Sequence, residues 1–209
     1  MSGRGKLVTL EGVDGAGKST HMEFIADALR AAAGGDERRR VIVTREPGGT
    51  DLAERVRAAI LGQPMPPATE TLLLFAARAD HVMRVIEPAL AAGAWVVCDR
   101  FTDATVAYQG AGKGVPLDVI ERLRELAHPG LAPSRTFVFD CPYEVAQKRL
   151  AASRKTLDRF EREDRAFFER VRAAYLERAR TEPERVRVID ASADVAAIRK
   201  AITANLAGL

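Results

Sequence analysis

The chain has 209 residues and a mass of 22.7 kDa; with 47% hydrophobic and 29% charged residues it has the composition of a globular protein built as one large domain. Its 32 basic and 29 acidic residues leave a net charge of +3, but the arginines of 159–187 are interleaved with glutamates as on a solvated helix face, and only 6% of residues are aromatic. That argues against a nucleic-acid-binding surface, and the uncharged run 88–98 falls far short of the roughly 20 apolar residues that cross a bilayer.

In chain order, Arg4 and Lys6 lead into an acidic, glycine-rich loop and not into a secretory signal, so a cytoplasmic protein is expected. Short apolar, largely β-branched or aromatic runs at 6–10, 41–44, 95–98, 136–140 and 186–190 predict buried strands. Helical periodicity fills the intervals, at 19–33, 69–92 and 160–181. Gly34 and Gly35 stop the first helix, 62–67 is a proline-rich connection, and 110–116 reads as a glycine-rich loop. Strands alternating with helices predict an α/β fold, a doubly wound, five-stranded parallel sheet flanked by helices, in a single domain over 1–209. Cys98 and Cys141 end strand-like runs and suit small buried hydrophobes better than a disulfide. His21, His81 and His128 lack ligand spacing, so no metal site made by protein groups alone is expected.

The segment Gly12-Val13-Asp14-Gly15-Ala16-Gly17-Lys18-Ser19 fits the phosphate-loop pattern, after a strand and before a helix. Backbone N–H groups of Gly12, Gly15, Ala16 and Gly17 would cradle a phosphate, with Thr20 in the first turn of the helix. Lys18 would reach the outer phosphates of a nucleoside triphosphate, and the Ser19 hydroxyl would sit on Mg²⁺. A GTPase would need a guanine-reading Asn-Lys-x-Asp segment, and the one asparagine here is Asn205. A small kinase needs a second anion site where the other strands end. Thr44-Arg45-Glu46-Pro47-Gly48-Gly49-Thr50 and Asp99-Arg100-Phe101 each place an arginine just past a strand, where two guanidinium forks could clamp one phosphate. The structural alternatives are a surface pair of Arg45 with Glu46 or Asp51, and a bond between Arg100 and Asp99.

These blocks, together with Ala107-Tyr108-Gln109-Gly110 and Leu157-Asp158-Arg159, make the sequence resemble the thymidylate kinase family over nearly its whole length, in its bacterial branch. The resemblance implies transfer of the γ-phosphoryl group of ATP to dTMP, Mg²⁺ accompanying ATP, and a homodimer. It implies that Arg45 and Arg100 hold the dTMP phosphate, that Asp14 lies near the sugar 3′-hydroxyl and the transferred group, and that Asp99 helps place Mg²⁺ through water. It assigns Arg78 as the thymine reader: a guanidinium donates to O4 of thymine and cannot pair with the 4-amino group of cytosine. Thr105 and Gln109 line the same pocket by resemblance, with Tyr108 against the sugar, although ordinary helix packing suits their spacing equally.

The family often stacks thymine on a Phe four residues before this arginine; here that position is Leu74 and Phe75 follows, so either could form the base floor. The thymine methyl is worth about 0.8 kcal/mol as a buried carbon, which predicts modest preference over dUMP. The basic segment at about 152–160 reads as a lid. No arginine stands at 13–16, and the branch of the family with that gap draws its catalytic arginine from the lid, which points to Arg154 first and Arg159 second. Arg149 resembles the residue that packs on adenine. The rival readings are another nucleoside monophosphate kinase and a non-catalytic ATP-binding regulator.

Overall fold

The computed structural model describes residues 3–32, 40–153 and 158–209. Among these, five parallel strands, β1 (Leu7–Glu11), β2 (Val41–Arg45), β3 (Trp95–Asp99), β4 (Arg135–Asp140) and β5 (Val186–Asp190), form one sheet in the order β2-β3-β1-β4-β5. Each expected strand is present within about one residue of its expected bounds, because uninterrupted β-branched and aromatic runs suit strands buried on both faces. Successive side chains alternate between two cores. Leu7, Val96 and Cys98 pack with Val82, Ile86, Leu90 and Phe101, whereas Val8, Leu10 and Val97 pack with Ile25, Phe167 and Tyr175.

The helices are α1 (Lys18–Ala32), α2 (Asp51–Gly62), α3 (Pro67–His81), α4 (Glu87–Ala91), α5 (Thr102–Thr105), α6 (Leu117–Ala127), α7 (Tyr143–Ala152), α8 (Arg165–Thr181) and α9 (Val195–Leu206). Three expectations change. The single helix expected at 69–92 is α3 and α4 joined by a π-helical turn at Val82–Ile86, where the Glu87 N–H reaches back to the Val82 carbonyl. Pro88 follows with no N–H to continue the ordinary ladder. The glycine-rich stretch after Gly110 is not loop from its start, since Val106–Gly112 is a second π-helical turn. Gly112 is there for packing: a Cβ on it would stand 2.5 Å from the Phe167 ring of α8. The last long helix begins at Arg165 rather than 160, because the Asp164 carboxylate accepts from the Phe167 N–H at 2.7 Å and caps it. The helix stop expected at Gly34 and Gly35 lies outside the described residues.

The chain leaves β1 for β2 on one side of the sheet and later crosses to β4 on the other, so β1 lies at the point where strand order reverses. Ligands of open α/β sheets bind beyond the carboxyl ends of strands at this point. Leu10 is level with Asp99, and Asp99 with Arg45, which brings three strand ends to one height.

Candidate active site

The loop between β1 and α1 is held against its surroundings by backbone approach. Gly15 has a φ of 81°, and a Cβ there would meet the Ala146 carbonyl of α7 at 2.5 Å, so only glycine fits. Lys18 folds back over the loop, its Nζ donating to the Gly12 and Val13 carbonyls at 3.1 and 3.2 Å. Burial, with the nearby Arg100 charge, lowers its pKa. A cavity above this loop is lined by 14–21, with Arg45, Asp99, Arg149 and the α9 residues Val195 and Ile198. Gly15, Ala16, Gly17, Ser19 and Thr20 therefore face one space together with Lys18. Arg149 lies along the loop, donating to the Ala16 carbonyl at 3.4 Å and the Ala191 carbonyl at 2.8 Å.

A second cavity is lined by Leu74, Arg78, Thr105, Tyr108, Gln109 and Phe160, among others. Asp14, Glu46, Arg57, Arg100 and Asp158 line both cavities and form their common wall. Arg100 donates to Asp14 Oδ1 at 2.6 Å, the Tyr108 hydroxyl at 3.0 Å and the Gly12 carbonyl at 3.1 Å; its partner is Asp14 and not Asp99. Tyr108 in turn donates to Asp14 Oδ2 at 2.9 Å. Burial opposes the charge on Asp14, but Arg100, Lys18 and Tyr108 outweigh it and hold the carboxyl at about 2. It is a carboxylate at any physiological pH.

Arg45 reaches the first cavity and is paired across the surface with both Glu54 oxygens at 3.0 Å, neither of the partners expected from its neighbourhood in sequence. Arg78 is almost fully buried. Its Nε donates to Glu46 at 2.6 Å and its Nη2 to the Phe101 carbonyl at 3.1 Å and Thr105 Oγ1 at 3.2 Å. Its guanidinium centre lies 4.7 Å from the Phe75 ring and 5.3 Å from the Phe101 ring. Phe75 is thus spent on Arg78 and is absent from the cavity lining, where Leu74 stands instead. Arg78 Nη1 is buried with no partner among the described residues. Gln109 lines the cavity and donates to Glu70 at 2.6 Å.

Asp99 Oδ1 is likewise a buried acceptor without a partner among the described residues, and it shares its cavity with Ser19. Such hard oxygen donors fit a hydrated Mg²⁺. Arg154 lies outside the described residues. Arg159 forms an ion pair with the buried Glu70 and lies over the Phe160 ring at 4.6 Å.

Two groups of this site escaped the sequence reading. Arg57 of α2 donates to the Pro47 carbonyl at 3.1 Å and shares the first cavity with Arg45 and Arg100, and burial together with those two charges lowers its pKa. Helical spacing puts Arg57 on one stripe with Ala53 and Ile60, but that this stripe is the buried one is seen only in the fold, where those two are the fully buried residues of α2. Glu46 accepts from Arg78 through one oxygen, and its other oxygen hydrogen bonds His81 Nδ1 at 3.0 Å.

A phosphate loop at the switch point of a doubly wound sheet, sharing a cation-rich wall with a second, selective cavity, defines a phosphoryl-transfer enzyme of the nucleoside monophosphate kinase class. The family model described as thymidylate kinase matches residues 10–202. The chain is 54% identical over 209 residues to a thymidylate kinase of Bordetella petrii, covering 100% of this chain and 98% of that one. It is 52% identical over 206 residues to a thymidylate kinase of Cupriavidus metallidurans, covering 99% and 100% of the two chains. The crystal structure of thymidylate kinase from Ehrlichia chaffeensis superposes with a TM-score of 0.79 at 31% identity, covering 97% of this chain and 98% of that one. The chain belongs to the thymidylate kinase family and is an ATP-dependent phosphotransferase acting on dTMP.

Proposed function

We propose that the ATP phosphates lie over the phosphate loop, that dTMP occupies the cavity beside Arg78, and that the phosphoryl group crosses the wall the two cavities share. The observation that carries the reading is Arg78 Nη1. Every other contact of this guanidinium goes to the protein, and this nitrogen is left as a buried donor without a partner among the described residues, on a side chain that lines the cavity. Thymine O4 accepts there, whereas the 4-amino group of cytosine would set donor against donor. Leu74 supplies an aliphatic base floor, and Tyr108, tied to Asp14 and Arg100, stands where the sugar would pass.

The second pKa of a monophosphate is about 6, so its attacking oxygen is already ionised at neutral pH and no general base is required. That oxygen forms a bond to the γ-phosphorus as the bond to the bridging oxygen of ADP breaks, and ADP leaves. The barrier lies in bringing anions together, and fixed positive charge lowers it. Lys18 serves the transferred group, and Arg45, Arg57 and Arg100 serve the acceptor phosphate. Asp14, held ionised, accepts from the 3′-hydroxyl, Arg149 packs on adenine, and Arg154 closes over the transferred phosphoryl from the lid. The family uses ATP with Mg²⁺; Ser19 and, through water, Asp99 are the oxygens suited to hold it, and the ion supplies charge neutralisation when bound.

We further propose one domain over the whole chain, a homodimer and a cytoplasmic site of action. No described helix is long and apolar enough to cross a membrane. ADP release with Mg²⁺ and ATP across dTMP, dUMP, UMP, CMP, AMP and GMP tests the reading. Turnover with dTMP, and with dUMP at a modestly lower level, is expected; equal turnover with CMP would remove Arg78 as the base reader.

A further inference from the structure

Arg100 is the one non-glycine residue with a positive φ, 67°, among the described residues. An L-residue is disfavoured there because its Cβ crowds the backbone, so the surroundings must hold it. The turn is anchored on its first side by the Arg100 N–H, which donates to the Leu10 carbonyl at 2.9 Å. On its second side the Phe101 N–H donates to Glu11 Oε1 at 2.7 Å, which fixes the peptide that follows the strained residue. Glu11 is the last residue of β1, is fully buried and lines neither cavity. Its Oε2 hydrogen bonds the Tyr175 hydroxyl of α8 at 2.9 Å, and that hydroxyl is 3.3 Å from Arg100 Nη1. One carboxyl group thus closes a ring that grips Arg100 at its backbone and, through Tyr175, at its guanidinium.

We infer that Glu11 is a positioning residue for acceptor binding: it holds the strained turn that aims Arg100 at the dTMP phosphate and ties that turn to α8. The inference rests on the role proposed above for Arg100. Burial, with the Asp103 charge beside it, pushes the Glu11 carboxyl up to about 8, so glutamine, uncharged and of the same shape, is its closest replacement at pH 7. The Gln carbonyl keeps the Phe101 N–H and its amide reaches Tyr175.

The test is steady-state kinetics at pH 7 on E11A, E11Q, Y175F, R100A and the double variant E11A/R100A, with a melting temperature for each. E11A is expected to raise the dTMP KM by about ten-fold while the ATP KM changes by less than about two-fold, since a small misplacement of a binding group is enough for such a loss. E11Q is expected to restore most of the dTMP KM. The double variant should be no worse than R100A alone, because Glu11 acts through Arg100. A lowered melting temperature with an unchanged dTMP KM in E11A would reduce Glu11 to a structural acid and overturn the inference. An unchanged dTMP KM in R100A would instead overturn the role of Arg100. If E11A does not fold, Y175F carries the test by cutting the other arm of the ring, and an unaltered dTMP KM there overturns the coupling to α8.

Discussion

At the scale of single residues, the chemistry of this site comes from side chains immobilised by others. Arg78 is the clearest case: two rings flank it, Glu46 and Thr105 fix its edges, and one nitrogen is left over. Burial opposes the charge on Glu46, and Arg78 and His81 outweigh it. Removing the cation therefore does two things. R78M is expected to abolish discrimination at the base and also to destabilise the fold by about 3–5 kcal/mol, the usual consequence of leaving a buried charge without its partner. Denaturant unfolding alongside dTMP kinetics checks both. A weakened dTMP KM at full stability would mean that His81 alone supports Glu46.

At the scale of elements, helix ends and irregular turns decide where functional residues point. The π-helical turn Val106–Gly112 carries Tyr108 and Gln109, and such widened turns re-aim side chains relative to a regular helix. Its contact with α8 runs through Gly112, where a Cβ would meet the Phe167 ring, and fixes this turn against α8. Behind the Arg100 turn, α6 ends at His128, whose Nδ1–H donates to the Leu131 carbonyl at 3.1 Å, leaving Nε2 to accept from Thr102 at 2.7 Å. Burial, aided by the Arg78 charge, lowers the His128 pKa to about 4. A histidine with a depressed folded pKa contributes stability that is complete above its unfolded value near 6.5 and is lost as pH falls through 4. Wild type is therefore expected to lose stability relative to H128Q as pH falls from 6.5 to 4. Melting temperatures at several pH values check this, and parallel curves for the two proteins would refute it.

At the scale of the whole molecule, the sheet order brings together residues far apart in sequence. The switch at β1 makes the phosphate loop a neighbour of the Asp99-Arg100 turn, and the level ends of β2 and β3 add Arg45. The same packing leaves apolar side chains outside: Leu72 of α3 and Leu126 of α6 are 57% and 82% exposed, on two helices that pack against each other. The proposed homodimer would cover apolar surface of this kind. Equilibrium sedimentation of the wild type is expected to give twice the 22.7 kDa chain mass, and the double variant L72D/L126D to give the chain mass itself. A dimeric double variant would move the interface to another face.

What the sequence by itself determined is local. The five strands, their alternation with helices, the phosphate loop and the arginines at 45 and 100 are legible because β-branched runs, glycine spacing and the residue that follows a strand depend on near neighbours. The tertiary structure alone decided the rest. That Phe75 supports Arg78 while Leu74 lines the cavity depends on how α3 is rotated against α2 and α6. That Arg57 joins the cations follows from the face α2 turns inward. The link from Glu11 to Tyr175 spans 164 positions of sequence, and no local pattern encodes a contact formed only when α8 packs against the first strand.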